Sequence, residues 1–153
     1  MIALNRFEAD AVKKKLENYR NLKAMAAELD QKIIRMGNRY RDIAGASAIR
    51  YDREPGSGSG EPKESIYHEI FSEQQADEKR AARYRKEAEQ IERFVAMIEN
   101  QTGREIITDA FIKGKRYRTI GRERKYEISS VHSVIVRCLE NVPLSVAEEC
   151  GLL

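Results

Sequence analysis

Apolar residues recur at steps of three and four over most of the first hundred positions, the spacing of helices that bury one stripe. From Tyr19 onward Leu22, Ala26, Leu29, Ile33, Met36, Tyr40 and Ile43 form a heptad seam, which predicts a helix over about 4–43. Before Tyr19 the seam weakens. Val12 keeps the register, but Lys15 and Glu8 fall on core-type positions, so this end is expected to be looser or to meet a different partner. A second seam runs through Tyr67, Ile70, Gln74, Asp77, Ala81, Tyr84, Ala88, Ile91, Val95 and Ile98, predicting a helix over about 65–100 with a polar middle. Between them, Pro55 and Pro62 bracket a Gly/Ser alternation at 56–60, which predicts a flexible loop over 45–64. Two helices of similar length joined in this way fold back most simply as an antiparallel hairpin.

The periodicity then changes. Residues 104–140 divide into three short apolar segments separated by polar breaks. Ile107, Ala110 and Phe111 mark the first, and Gly114 follows where a helix end favours positive φ. Tyr117, Ile120, Gly121 and Arg124 share a face of the second; Val131, Ile135, Cys138, Leu139 and Val142 line one side of the third. The pattern predicts a three-helix unit with a helix-turn-helix. The expected molecule is therefore all-α: a helical hairpin over 1–102, a helix-turn-helix domain over 103–143 and a short tail over 144–153.

Charge sharpens this division. The formal net charge of +3 conceals 11 basic against 6 acidic groups in residues 1–50, 8 against 12 in 51–103, and 9 against 7 in 104–153. A basic first helix facing an acidic second one favours their pairing, although exposed ion pairs choose partner and orientation more than they stabilise. Phe71, Phe94 and Met97 lie beside the second seam and widen its apolar face beyond one partner, which predicts that the hairpin also forms a homodimer. No charged-then-apolar leader and no stretch near the ~20 apolar residues of a membrane span is present, so a cytoplasmic protein is expected. Cys138 and Cys150 stand among apolar neighbours without histidine, and are expected to be reduced packing residues.

The candidate chemistry lies in residues 113–125, KGKRYRTIGRERK, where seven of thirteen residues are Lys or Arg and only Glu123 is acidic. A basic run on the second helix of such a unit is placed to neutralise phosphates of double-stranded DNA, which nominates Lys115, Arg116, Arg118, Arg122 and Lys125. By the same geometry the third helix faces the bases with Ser129, Ser130, His132, Ser133 and Arg137, mostly short hydrogen-bonding groups that permit close approach. Catalysis has no comparable support. His68 and His132 lack a nucleophile or carboxylate constellation, Gly56, Gly58 and Gly60 lack the Lys-Ser/Thr of a phosphate loop, and Glu148 and Glu149 suit a solvated tail. No enzyme, metal, cofactor or small-molecule substrate is expected.

The run IKGKRYRTIGRERKYEISSVHSVIVRCLENV resembles region 4 of bacterial sigma factors as it occurs in small phage proteins of the ArpU/RinA late-transcription-regulator type. The matching positions are Gly114 before the second helix, Ile120 with small Gly121 inside it, Tyr126 in the turn, Val131 in the third helix, and Arg137 with Leu139 at its end. The likeness covers about the last 40 residues by motif and the rest by layout. It implies a phage or prophage regulator that binds promoter DNA. Three positions depart from the pattern: Lys125 stands where the turn usually has Gly, Arg124 where the core usually has Leu, and Glu127 where a Ser usually caps the third helix. Glu127 and the cation-poor third helix leave an alternative, an adaptor that engages RNA polymerase or another protein with little DNA affinity. A purely structural coiled coil would leave the basic run unexplained.

Overall fold

The computed structural model describes residues 2–50 and 61–153, with side chains described outside 44–50 and 61–64. It is all-α in class. Helix α1 spans Arg6–Glu17, α2 Tyr19–Arg50, α3 Glu61–Ala96, α4 Gln101–Ile107, α5 Tyr117–Arg124, α6 Ile128–Glu140 and α7 Leu144–Glu149, with a π-helical turn at Thr108–Ile112 after α4. Helices α2 and α3 extend to Arg50 and Glu61, so the loop expected over 45–64 is helical at both ends, and its residues 51–60 lie outside the described residues.

The single helix expected over 4–43 is instead two. Asn5 opens α1 with a capping box: its side chain accepts from the Glu8 amide at 2.8 Å, and the Glu8 carboxylate accepts from the Asn5 amide at 3.0 Å. The chain breaks at Asn18, which ends α1, and α2 starts immediately after it. The break re-phases the seam. Ala9, Val12, Leu16, Tyr19 and Leu22 are buried, so two successive steps of three replace the heptad alternation. Leu16 takes the core place that an unbroken heptad gives to Lys15, and Lys15 instead donates to the Leu152 carbonyl at 2.7 Å.

The chain forms two compact units, Ala24–Tyr84 and Met1–Lys23 with Arg85–Leu153. The first is a helical arm in which α2 and α3 run antiparallel. Lys32 pairs with Glu73 at 2.9 Å, Gln74 donates to the Ile33 carbonyl at 3.3 Å, and the Tyr40 and Tyr67 rings lie 4.9 Å apart. Both polar residues of the predicted seam have work here. Asp77, 2% exposed, has Lys32 at 3.1 Å and Arg80 at 3.8 Å, and Glu73 together with Asp77 holds the Lys32 ammonium pKa above its ordinary value. Such a pair fixes register more than it stabilises.

The second unit gathers the two ends of the chain around one core. Val12 and Leu16 of α1, Phe94 of α3, Ile106 and Ile107 of α4, Ile120 of α5, and Val131, Ile135 and Leu139 of α6 are wholly buried. Phe94, expected to widen an outward face, is thus enclosed within its own chain, while Phe71 and Met97 remain exposed. The expected tail over 144–153 is helix α7 and a buried end: Ala147, Cys150 and Leu152 are in the core. The termini close on each other, with the Leu4 amide donating to the Val142 carbonyl at 3.0 Å and the Leu144 amide to the Ile2 carbonyl at 2.8 Å. Consequently the compact units do not divide at residue 103. Both cysteines are free and buried, and burial pushes both thiol pKa values up. Among the described residues, no helix is long and apolar enough to cross a membrane.

Candidate nucleic-acid interface

The predicted helix-turn-helix is α5, a short turn and α6. Asn100 caps α4 through the Gly103 amide at 2.8 Å, and Gly103 lets α4 lie close on α6: an added Cβ would come within 2.5 Å of Cys138 Sγ. The π-helical turn then inserts one residue per turn and changes which side chains face inward. Asp109 and Phe111 are buried, whereas Ala110, expected in the core, is half-buried. Gly114 follows in the left-handed region at φ 71°, and the Arg20 guanidinium occupies the space a side chain there would need.

The turn explains two of the departures from the sigma-like pattern. Lys125 adopts φ 60° and ψ 39°, the left-handed cap that glycine usually provides, and the Tyr126 amide closes on the Gly121 carbonyl at 2.7 Å. The returning backbone requires Gly121, because an added Cβ would lie 2.6 Å from the Tyr126 carbonyl oxygen. Arg124 does not fill a core site. Half-buried, it pairs with Glu105 at 2.9 Å and approaches Asp109 at 3.9 Å, and its hydrogen bond holds the Glu105 carboxyl below its ordinary pKa. Glu127 occupies the N-cap position of α6 in extended backbone, but its side chain makes no cap hydrogen bond, so a carboxylate replaces the usual Ser in position and not in action.

The basic run sorts into two sets. Lys113, Lys115 and Arg124 surround Asp109, a carboxylate only 8% exposed, at 3.5, 4.0 and 3.9 Å. Lys115 also meets Glu123 at 3.0 Å, and the hydrogen bond to Glu123 raises the Lys115 pKa. These cations tie α5 to the π-helical turn; Lys115, expected to contact phosphate, is therefore already paired. Arg116, Arg118, Arg122 and Lys125 form the other set. All are exposed, and among the described residues none has a carboxylate partner.

On α6, Val131, Ile135, Cys138 and Leu139 are buried, and Ser129, Ser130, His132, Ser133 and Arg137 are exposed. Tyr117 at the start of α5 lies beside His132, ring centroids 6.3 Å apart; burial first, then the nearby Glu17 carboxylate, raises its hydroxyl pKa. The structure therefore brings the unpaired α5 cations and the polar face of α6 onto neighbouring elements. Among the described residues no cluster of His, Cys, Asp or Glu could hold a metal ion.

The chain matches no protein-family model, no curated protein and no solved structure. The interface is thus defined by its own residues. Pattern reading missed Asp109 as the buried counter-charge, because it expected Ala110 on the inward face that the π-helical turn gives to Asp109. It also missed that α1 lies along α6, although the weak register before Tyr19 carried the signal of a different partner.

Proposed function

We propose that the protein is a sequence-specific DNA-binding transcriptional regulator of phage or prophage genes, acting through α5 and α6 as a helix-turn-helix. The observation that carries this reading is the sorting of the basic run: cations with a structural task are paired, and Arg116, Arg118, Arg122 and Lys125 are exposed and unpaired. An unpaired cation can exchange its counterions for phosphate, the main source of affinity for duplex DNA. The exposed serines, His132 and Arg137 of α6 then supply hydrogen-bonding groups toward base edges. The sigma-like resemblance of residues 112–142 supports the same assignment and the phage context. The protein acts as a homodimer, joined through the arm, where Ile34 and Phe71 remain 55% and 58% exposed. Two half-site contacts compensate for a reading helix with a single Arg.

Mobility-shift titration at several salt concentrations tests the assignment. The protein is expected to retain a duplex enriched from its source genome over random duplex. Replacing Arg118 and Arg122 together by Ala is expected to lower affinity at least tenfold and to reduce the logarithmic salt slope by about two, one contact per side chain. An unchanged slope removes both residues from the phosphate role. Absence of DNA binding even at low salt replaces this reading by the adaptor, which the exposed Glu127 at the start of α6 favours.

A further inference from the structure

The reading helix is poor in cations: of its exposed residues only Arg137 is Lys or Arg. Helix α1 adjoins it. The bridge between Ala3 and Pro143 sets the start of α1 at the end of α6, and Glu17, near Tyr117 beside His132, sets its end toward the start of α6. The two helices are therefore antiparallel neighbours. Between them runs an open groove of about 700 Å³, with Arg6, Phe7 and Lys13 on the α1 wall and His132, Ser133 and Arg137 on the α6 wall.

We propose that this groove is a second DNA-contacting surface, in which Arg6 and Lys13 of α1 grip the phosphate backbone alongside the base-facing side of α6. The inference rests on the DNA-binding reading of α5 and α6 and extends it to an element outside the helix-turn-helix. Charge is its first support. Asp10 and Glu140 also border the groove, but Asp10 is paired with Lys14 at 3.4 Å, and among the described residues neither Arg6 nor Lys13 has a carboxylate partner. Spacing is the second. Seven residues are two helical turns, so Arg6 and Lys13 project from one side of α1 about 10 Å apart along its axis. One DNA strand offers a phosphate every ~3.4 Å of helix axis, so two cations ~10 Å apart can reach separate phosphates of a single strand. Exposure is the third: Phe7 is 87% exposed at the lip of the groove, an aromatic face that a sugar can cover.

The test uses the full chain, a random-sequence duplex of about 30 base pairs, and mobility shift from about 50 mM salt upward. Arg6→Ala with Lys13→Ala is expected to weaken binding about tenfold and to lower the salt slope by about two, and Arg6→Lys with Lys13→Arg to restore both. Lys79→Ala with Arg83→Ala, two exposed cations of the arm, leaves affinity and slope unchanged. Unaltered thermal melting of each variant establishes that folding is intact; a single Lys13→Gln variant, expected to lower the slope by about one, replaces the pair if it melts early. If Arg6→Ala with Lys13→Ala binds as the wild type while Arg118→Ala with Arg122→Ala fails, α1 is not a DNA element and the helix-turn-helix reading stands. If the wild type binds no duplex at low salt, both readings fall and the groove serves a protein partner instead.

Discussion

At Lys125 one side chain sits where its backbone does not favour it. A left-handed cap strains any residue with a Cβ, and only glycine adopts it without steric cost. Lys125→Gly is therefore expected to stabilise the fold by about 0.5–1 kcal/mol, read as a higher urea midpoint at unchanged slope. The same substitution removes an unpaired cation from the candidate interface, so tighter folding and weaker DNA retention are expected together. Strain retained at a residue with a second task is a common signature of a binding surface. Gly121 shows the reverse case, in which the backbone alone dictates the residue. Arg124 shows how an apparent core defect is absorbed: turned outward, it joins Lys113 and Lys115 around Asp109.

Elements were legible in proportion to their regularity. Leu22, Ala26 and Leu29 of the first seam and seven of the ten second-seam positions, all but Tyr67, Gln74 and Tyr84, carry their expected burial or, at Asp77, a buried charge pair, because a continuous helix keeps its phase. Two phase changes were not legible. The break at Asn18 shifts burial from Lys15 to Leu16, and the π-helical turn shifts it from Ala110 to Asp109. Each is a local change of helical phase, which a constant period does not contain. In the candidate interface, the unpaired cations and the exposed α6 residues were legible as residue types; the pairing of Lys115 was not, since it needs the turn that brings Glu123 to 3.0 Å and Asp109 to 4.0 Å.

The start of α2 also carries a pH dependence. Tyr19 is buried and donates to the Glu92 carboxylate; burial first, then that hydrogen bond, pushes its hydroxyl pKa from 10.0 up to about 12. The folded state thus holds this proton after the unfolded chain has released it. Its contribution to stability is full below pH 10 and is lost as pH rises toward 12. Urea unfolding across that window is expected to show falling stability in the wild type and a shallower fall in Tyr19→Phe, with Lys32 supplying part of what remains.

For the whole molecule, the charge zones of the sequence turn out to serve two bodies. The arm uses opposite charge between α2 and α3, as in Lys32 with Glu73, and leaves Ile34, Tyr40 and Phe71 substantially exposed. With Phe94 buried and Met97 in the other unit, the part of the arm that the proposed dimer would use narrows to Ile34, Tyr40 and Phe71. Sedimentation equilibrium at tens of micromolar is expected to give a dimer, and Phe71→Ser with Ile34→Ser to shift it to monomer without loss of helicity. A wild-type monomer at that concentration removes the dimer from the proposed function.

The closure of the termini has a consequence for synthesis. Val12 and Leu16 leave the ribosome more than a hundred residues ahead of Val131, Ile135 and Leu139, which share their core. The body that joins Met1–Lys23 to Arg85–Leu153 therefore cannot complete until its second segment has been made. Joining its halves across Ala24–Tyr84 as an open coil would carry the entropy of a long loop. Zipping α2 against α3 first shortens that loop by local, rapid contacts and delivers Lys23 and Arg85 to the assembly as nearby ends. The arm then acts as the device that lets the two halves of the body find each other.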